Sequence, residues 1–456
     1  MVTPRSRARI WRRLAALAFA LALAFYMLPY DNHTRLAIRY VTYTSRQRHL
    51  SRKQMLTDSA PYPVDLSTDV ALIIKSGYGT KDRFPGTLAF MEDESNSGKV
   101  HYGSILLVAD FATKPGQHYN CCHGMDLPVH DVVAKTIERA PVGDGKHKPK
   151  HVENYARLQD ALSANNHTLA LDLSREFGWQ LDAMKFISSL ELAYTTFPDK
   201  KWYILADDDT YLIRSSLRQF LGHFCSKEAH YLGNAVGGWE GRFAHGGSGV
   251  LISQGAMRRL FKDRPEVVVQ MHYEALTTGM GDSLLSHTMM QIGAYVAEEH
   301  SLFFSGETPT TTKLKPDRFC LPIMSFHGLR ANDATLEVDR VLRKTEDRPP
   351  LWQDIWRLYG GPDLASGDMP ASRADWDYVG RLDEYTTTIE DVSDEQACLQ
   401  QCVGSRYEST CLAWTWEAER RVCHLSPWMI VGEKVAGRTT GLNPTRVHKM
   451  VKACGP

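Results

Sequence analysis

Asp207, Asp208 and Asp209 stand side by side directly after the apolar run Trp202 to Leu205. Three adjacent carboxylates repel one another unless positive charge sits among them. Carboxylate oxygens suit hard or borderline divalent ions such as Mg²⁺ or Mn²⁺, which take few protein ligands and complete their shell with phosphate oxygens. A solvated acidic turn would read the same way, but the strand before the triplet and the helix-like stretch Ser215 to Leu221 after it weigh against that. Gly246, Gly247 and Gly249 would let backbone approach a ligand closely, or simply form a turn. They lack the Gly-Lys-Ser/Thr ending of a phosphate loop. Asp282 precedes an apolar helix-like run, where a carboxylate serves either as a proton acceptor for a hydroxyl or as a helix cap. Lys75 and Ser76, at the end of an apolar run, are candidate nucleotide contacts, and Arg83 is a weaker diphosphate candidate.

These residues need elements to hold them. Val70 to Ile74, Ser104 to Val108 and Trp202 to Leu205 are short apolar runs that read as strands, and Leu181 to Phe197 has helical spacing, stopped by Pro198 and Asp199. Alternation of strand and helix predicts an α/β domain with a mainly parallel sheet, in which ligands sit beyond the carboxyl ends of strands. Lys75, Ser76 and the aspartates all lie at such ends.

The 456 residues carry 53 Lys+Arg and 53 Asp+Glu, a formal net charge of +0, so nothing points to nucleic acid as a partner. Hydrophobic residues at 43% and charged residues at 23% predict a sizeable soluble core. At the N-terminus Arg5, Arg7, Arg9, Arg12 and Arg13 precede an uncharged apolar run, Leu14 to Leu28. We read 1–13 as a cytosolic tail, 14–30 as a signal-anchor helix through the membrane and 31–66 as a stem, everything after the arginines being lumenal. A cleaved signal peptide, followed by secretion, is the alternative. A folded catalytic domain is expected over 67–345, then a linker over 346–375 marked by Pro349, Pro350, Gly360, Gly361 and Pro362. A small cysteine-rich module should fill 376–456, its helix opened by a capping box from Ser393 to Gln396. Nine cysteines are an odd number, so at least one thiol is free or joins two chains in a disulfide-linked dimer. The sequons at Asn32 and Asn166 agree with a lumenal, glycosylated chain.

Taken in order, the motifs resemble the fringe and mucin-core β1,3-galactosyltransferase family, glycosyltransferase family 31. The resemblance rests on Phe177, Gly178 and Trp179, on Lys185 and Phe186, on the run Trp202 to Leu212, on Gly246 to Ser253, on Gly281 with Asp282, and on Phe326 with His327. It covers roughly 67–330. It implies a GT-A fold with UDP-sugar as donor substrate and Mn²⁺ (or Mg²⁺) as cofactor. Asp207, Asp209 and His327 become the expected metal ligands, with Asp207 and Asp208 also on the nucleotide sugar and Gly247 beside it. Asp282 becomes the general base of an inverting transfer. The implied reaction moves a hexose, galactose in β1,3 linkage or the N-acetylglucosamine or glucose that other family members use, to a glycan or glycoprotein acceptor, in a single-pass type II Golgi membrane protein. The rival from another class is a carbohydrate- or protein-binding protein with an inactive transferase domain, which a broken metal or base position would betray; all are filled here. A metal-dependent phosphohydrolase would leave the stem and cysteine module unexplained.

The C-terminal module resembles a PAN/apple domain, a small disulfide-stapled α+β unit. That resemblance implies the pairs Cys398–Cys423 and Cys402–Cys411. The outer pair of the pattern would need a cysteine between Cys320 and Cys398; there is none, so Cys454 is expected to lack its usual partner.

Overall fold

Val70–Lys75 (β1) is buried at every position, as a strand covered on both faces must be. The computed structural model describes residues 4–45, 50–89, 91, 102–121, 124–140, 149–331, 333–345, 348–364 and 372–454. Around β1 lie Ile105–Ala109 (β2), Val129–Asp131 (β3), Trp202–Asp207 (β4), Tyr231–Leu232 (β5) and Val250–Ser253 (β6), in the order β3-β2-β1-β4-β6-β5. Strand β1 pairs in parallel with β2 and β4, and β2 with β3. Strand β6 runs antiparallel to both β4 and β5. This mixed, mostly parallel sheet, with helices on its faces, is consistent with the GT-A fold. Its register places Lys75 opposite Asp207, so two charged strand ends meet at one edge of the core.

The helical spacing of Leu181 to Phe197 resolves into two helices, His167–Ala183 and Lys185–Thr196, rather than one. At the break, the Met184 carbonyl accepts a hydrogen bond from the Thr136 hydroxyl at 2.7 Å. The kink turns Asp182 and Lys185 together toward the strand ends.

Residues 31–66 are not extended throughout. His33–Ser45 is a helix packed on the body of the chain, with Arg35 and Leu36 buried. Tertiary contact, not a repeating apolar pattern, makes it helical. The linker stretch is likewise packed in its described part: Trp352–Leu358 is a helix that buries Trp352, Ile355 and Trp356 in the main core. Residues 365–371 and Cys122 lie outside the described residues.

In the C-terminal domain Arg373–Asp377 (β7), Thr387–Ile389 (β8), Ala413–Glu417 (β9), Val422–Ser426 (β10) and Glu433–Leu442 (β11) form an antiparallel sheet in the order β7-β11-β9-β10-β8. The helix Glu395–Val403 is bound to it by Cys398–Cys423 and Cys402–Cys411. Its cap is Asp394, which accepts from the Ala397 N–H at 2.8 Å; the expected Ser393 only donates to the Asp394 carboxylate. Cys454 does have a partner: it bonds Cys320, 134 residues earlier and ahead of the linker stretch. The outer bridge of the module is thus made across the domain boundary, where a search within the module could not find it. The hydrophobic core crosses the same boundary, since Tyr378, Met429, Val447 and Met450 pack in one cluster with Phe319, Ile323 and Trp356. Cys225 is free and half-buried.

Candidate active site

The β1 and β4 ends open into a cavity of about 410 Å³. Burial of the Lys75 side chain (2% exposed) sets its electrostatics. Its ammonium lies 2.6 Å from Asp182 and 2.7 Å from Asp207. Burial alone would lower the Lys75 pKa, but the two carboxylates raise it above the usual lysine value. Lys185, just after the helix break, donates to the Ser76 carbonyl at 2.6 Å and pairs with buried Asp110 at 3.1 Å. Burial would raise Asp182, yet Lys75 and Lys185 hold it below the ordinary carboxylate value. Alternating charges around the strand ends therefore supply the positive groups that make an aspartate triplet tolerable here.

Each member of the triplet faces a different partner. Asp208 is 5% exposed, and both its oxygens are committed, one to the Ser76 hydroxyl at 2.5 Å and one to Arg83 at 3.0 Å. It braces the loop after β1 from the wall of the cavity. Arg83 also reaches Asp209 at 3.3 Å. Asp207 and Asp209 point toward His327, whose Nε2 is 3.1 Å from Asp209 and 3.9 Å from Asp207. Ligand atoms of these three side chains all lie within 4.8 Å of one another. Two carboxylates and one imidazole are the donor set a borderline divalent ion accepts. Burial would lower His327 and raise Asp209; their mutual attraction wins in both, raising the imidazole and lowering the carboxylate.

His327 is held in place from behind. Its N–H donates to the Glu307 carbonyl at 3.1 Å, and its Nδ1 faces the Gly306 carbonyl at 3.4 Å, which leaves Nε2 turned to the aspartates. The loop that supplies these carbonyls continues to Leu314, which bridges Met429 of the C-terminal domain. Thr310 accepts from the Gly432 N–H at 2.9 Å, and Lys313 pairs with Asp383 at 2.7 Å. Gly247 lies against the imidazole so closely that a Cβ there would overlap the ring, and the Thr210 hydroxyl fixes its carbonyl at 2.7 Å.

Asp282 lies on the same cavity, in the first turn of the helix Gly281–Gln291. One carboxylate oxygen accepts from the Ser283 N–H at 2.9 Å, the other from the Gly246 N–H at 3.2 Å. Burial pushes its pKa up despite these bonds. Gly281 packs directly on Phe186, and the Lys75 ammonium sits 4.7 Å from the same ring, so one aromatic side chain spaces the two halves of the site. Trp179, 73% exposed, stands at the rim with its indole N–H donating to the Gly279 carbonyl at 2.8 Å.

The structure thus gathers Lys75, Ser76, Asp207, Asp208, Asp209, Gly247, Asp282 and His327 around one cavity. Asp110 and Asp182 escaped the sequence reading. A lone acid just past a predicted strand, as Asp110 is past β2, was the available signal.

A sheet of this topology with an Asp/Asp/His cluster beyond its strand ends is consistent with a GT-A architecture that carries a candidate metal site. A profile of the Fringe-like family matches residues 163–282 and one of the PAN domain matches residues 378–438. The chain carries a Fringe-like glycosyltransferase domain, of family 31, and a C-terminal PAN domain, and the former implies a transferase. The Fringe-like match spans Asp207, Asp209 and Asp282 and ends before His327. Among curated proteins, none matches the sequence. The apolar helix within Pro4–Met27, anchor or signal, and the disulfides suggest the secretory pathway.

Proposed function

We propose that this protein is a metal-dependent inverting glycosyltransferase that moves galactose from UDP-galactose, in β1,3 linkage, to a glycan or glycoprotein acceptor in the Golgi lumen. The convergence of Asp207, Asp209 and His327 in the cavity that Asp282 lines carries the reading. A divalent ion, Mn²⁺ or Mg²⁺, held by those three side chains would offset the charge of the departing UDP. Lys75 orients Asp207 through a 2.7 Å ion pair, and His327, helped by Arg83, holds Asp209 below the ordinary carboxylate value. Asp282 takes the proton from the acceptor hydroxyl as that oxygen forms the new bond to the sugar on the face opposite UDP. Two backbone N–H groups fix the Asp282 carboxylate, while its raised pKa makes it a stronger base than an exposed aspartate.

Titration calorimetry of UDP with and without Mn²⁺, beside turnover across a panel of UDP-sugars, tests the proposal. Metal-dependent UDP binding, lost in Asp209→Ala, with UDP release fastest from UDP-galactose, is the expected result. Equal UDP affinity with and without metal would overturn the metal assignment, and a faster rate with another donor would overturn galactose.

A further inference from the structure

The segment following the apolar helix is attached to the transferase domain almost at once. No residue of the membrane-length stretch Ile10–Met27 is buried, and Phe25 near its end is half-buried. Three residues later, the Tyr30 carbonyl accepts from the Tyr295 hydroxyl at 2.8 Å, and the Tyr30 ring lies 3.0 Å from where a Cβ on Gly293 would stand. Arg35 is buried and joins both sides of this junction. Its guanidinium sits 4.0 Å from the Tyr30 ring and 5.3 Å from the Phe25 ring, and it donates to the Leu28 carbonyl at 2.5 Å. Farther along the helix His33–Ser45, Arg39 stacks over Tyr295 at 3.8 Å and His33 meets the edge of Trp239. The other face of this helix exposes Ile38 (48%) and Val41 (62%), three residues apart and therefore neighbours.

We infer that residues 28–45 form a fixed bracket that seats the transferase domain on the bilayer, with the Ile38 and Val41 face lying in the lipid interface. The connection from Met27 to Tyr30 spans three residue steps, at most ~10 Å of extended chain, so the first docked residue cannot leave the membrane surface. An apolar pair that exposed, so close to a spanning helix and on a helix with basic residues turned inward, has the form of an interfacial helix. Charge plays little part, since Arg35 and Arg39 are taken up by aromatic rings on the protein side. The bracket also fixes the cleft. The helix Gly281–Gln291 runs from Asp282 to the Gly293 turn under Tyr30, a span of about 15 Å at 1.5 Å per residue.

This inference rests on α-helical residues 10–27 being a retained anchor, not a cleaved signal. The test uses the full-length chain in phosphatidylcholine proteoliposomes, with a photoreactive benzophenone amino acid placed singly at Met27, Ile38, Val41 or Glu138. Glu138 follows β3, at the sheet edge opposite β5, where Val296 bridges Tyr231 beside the bracket; five strand spacings, roughly 24 Å, separate the edges. Lipid adducts at Ile38 and Val41 within a few-fold of those at Met27, and at least tenfold above Glu138, are expected. Arg35→Ala should reduce the adduct at Val41 several-fold. Adducts at Met27 but only Glu138-level yields at Ile38 and Val41 would overturn the bracket with the anchor intact. A mature chain whose N-terminal sequence begins beyond Met27 would overturn the anchor, and the inference with it.

Discussion

Gly247 shows how little room the Asp207, Asp209 and His327 cluster leaves. Any side chain there would drive into the His327 ring, whose other side is fixed by the Gly306 and Glu307 carbonyls. Gly247→Ala should therefore displace the imidazole and weaken Mn²⁺-dependent UDP binding at least tenfold, read by calorimetry, while the far-ultraviolet circular dichroism of the fold stays unchanged. Asp282 gives a different prediction. Asp282→Asn retains an oxygen for the two N–H donors but loses basicity, so transfer should fall by about 10²–10⁴ with UDP and Mn²⁺ affinity kept. Normal turnover in the folded variant would reduce Asp282 to an acceptor for the Gly246 and Ser283 N–H groups and turn attention to other carboxylates such as Glu274. The wild-type rate should drop as pH falls through the Asp282 pKa, because the base works only when ionised. Since burial raises that pKa, the acid limb should lie above the ordinary aspartate value, and it should vanish from the residual rate of Asp282→Asn.

At the level of elements, the strand ends and the split helix depend on buried lysines. Lys75→Met would leave Asp182 and Asp207 facing each other without their shared cation. Breaking a fully buried pair costs about 3–5 kcal/mol; with both aspartates a quarter to a third exposed, water takes part of the charge, and we expect ~2–3 kcal/mol, measured by urea unfolding. Much of this arrangement was legible beforehand. An apolar run followed at once by charged or polar residues marks a strand and its ligand end, as in β1 with Lys75 and Ser76 and β4 with the aspartate triplet, while an acid ahead of a helical apolar pattern marks the Asp282 helix. Asp182 could not be found this way, because a single acid inside a helical pattern acquires meaning only when the fold sets a lysine beside it, and Asp110 offered only its place just past β2. The break at Met184 was hidden for a related reason: a threonine hydroxyl from another helix makes it. The helix His33–Ser45 has too mixed a pattern to announce itself, and its inward face is built from arginines stacked on tyrosines.

On the scale of the whole molecule, the transferase and PAN domains share a core and a covalent bond. The Cys320–Cys454 bridge closes a loop of sequence separation 134, and chain-entropy reasoning assigns such a bridge about 2–5 kcal/mol. Cys454→Ser should lower the thermal midpoint by several degrees without exposing the core of the central sheet, which differential scanning calorimetry and a dye for apolar surface would register. That bridge was invisible to reasoning within the module, since its spacing obeys the docking of two domains and not the repeat of either. The loop behind His327 adds a consequence. Its Gly306 and Glu307 carbonyls steady the imidazole, while its Thr310, Lys313 and Leu314 are gripped by the PAN domain through Gly432, Asp383 and Met429. Warming that loosens the grip would free the histidine before any strand of the central sheet parts from its neighbour. The enzyme should then lose turnover at a temperature below its melting point, recover it on cooling, and show a narrower gap between the two temperatures when Mn²⁺ is in excess. A chain ending at Leu364 should keep the sheet yet behave at every temperature as though already warmed.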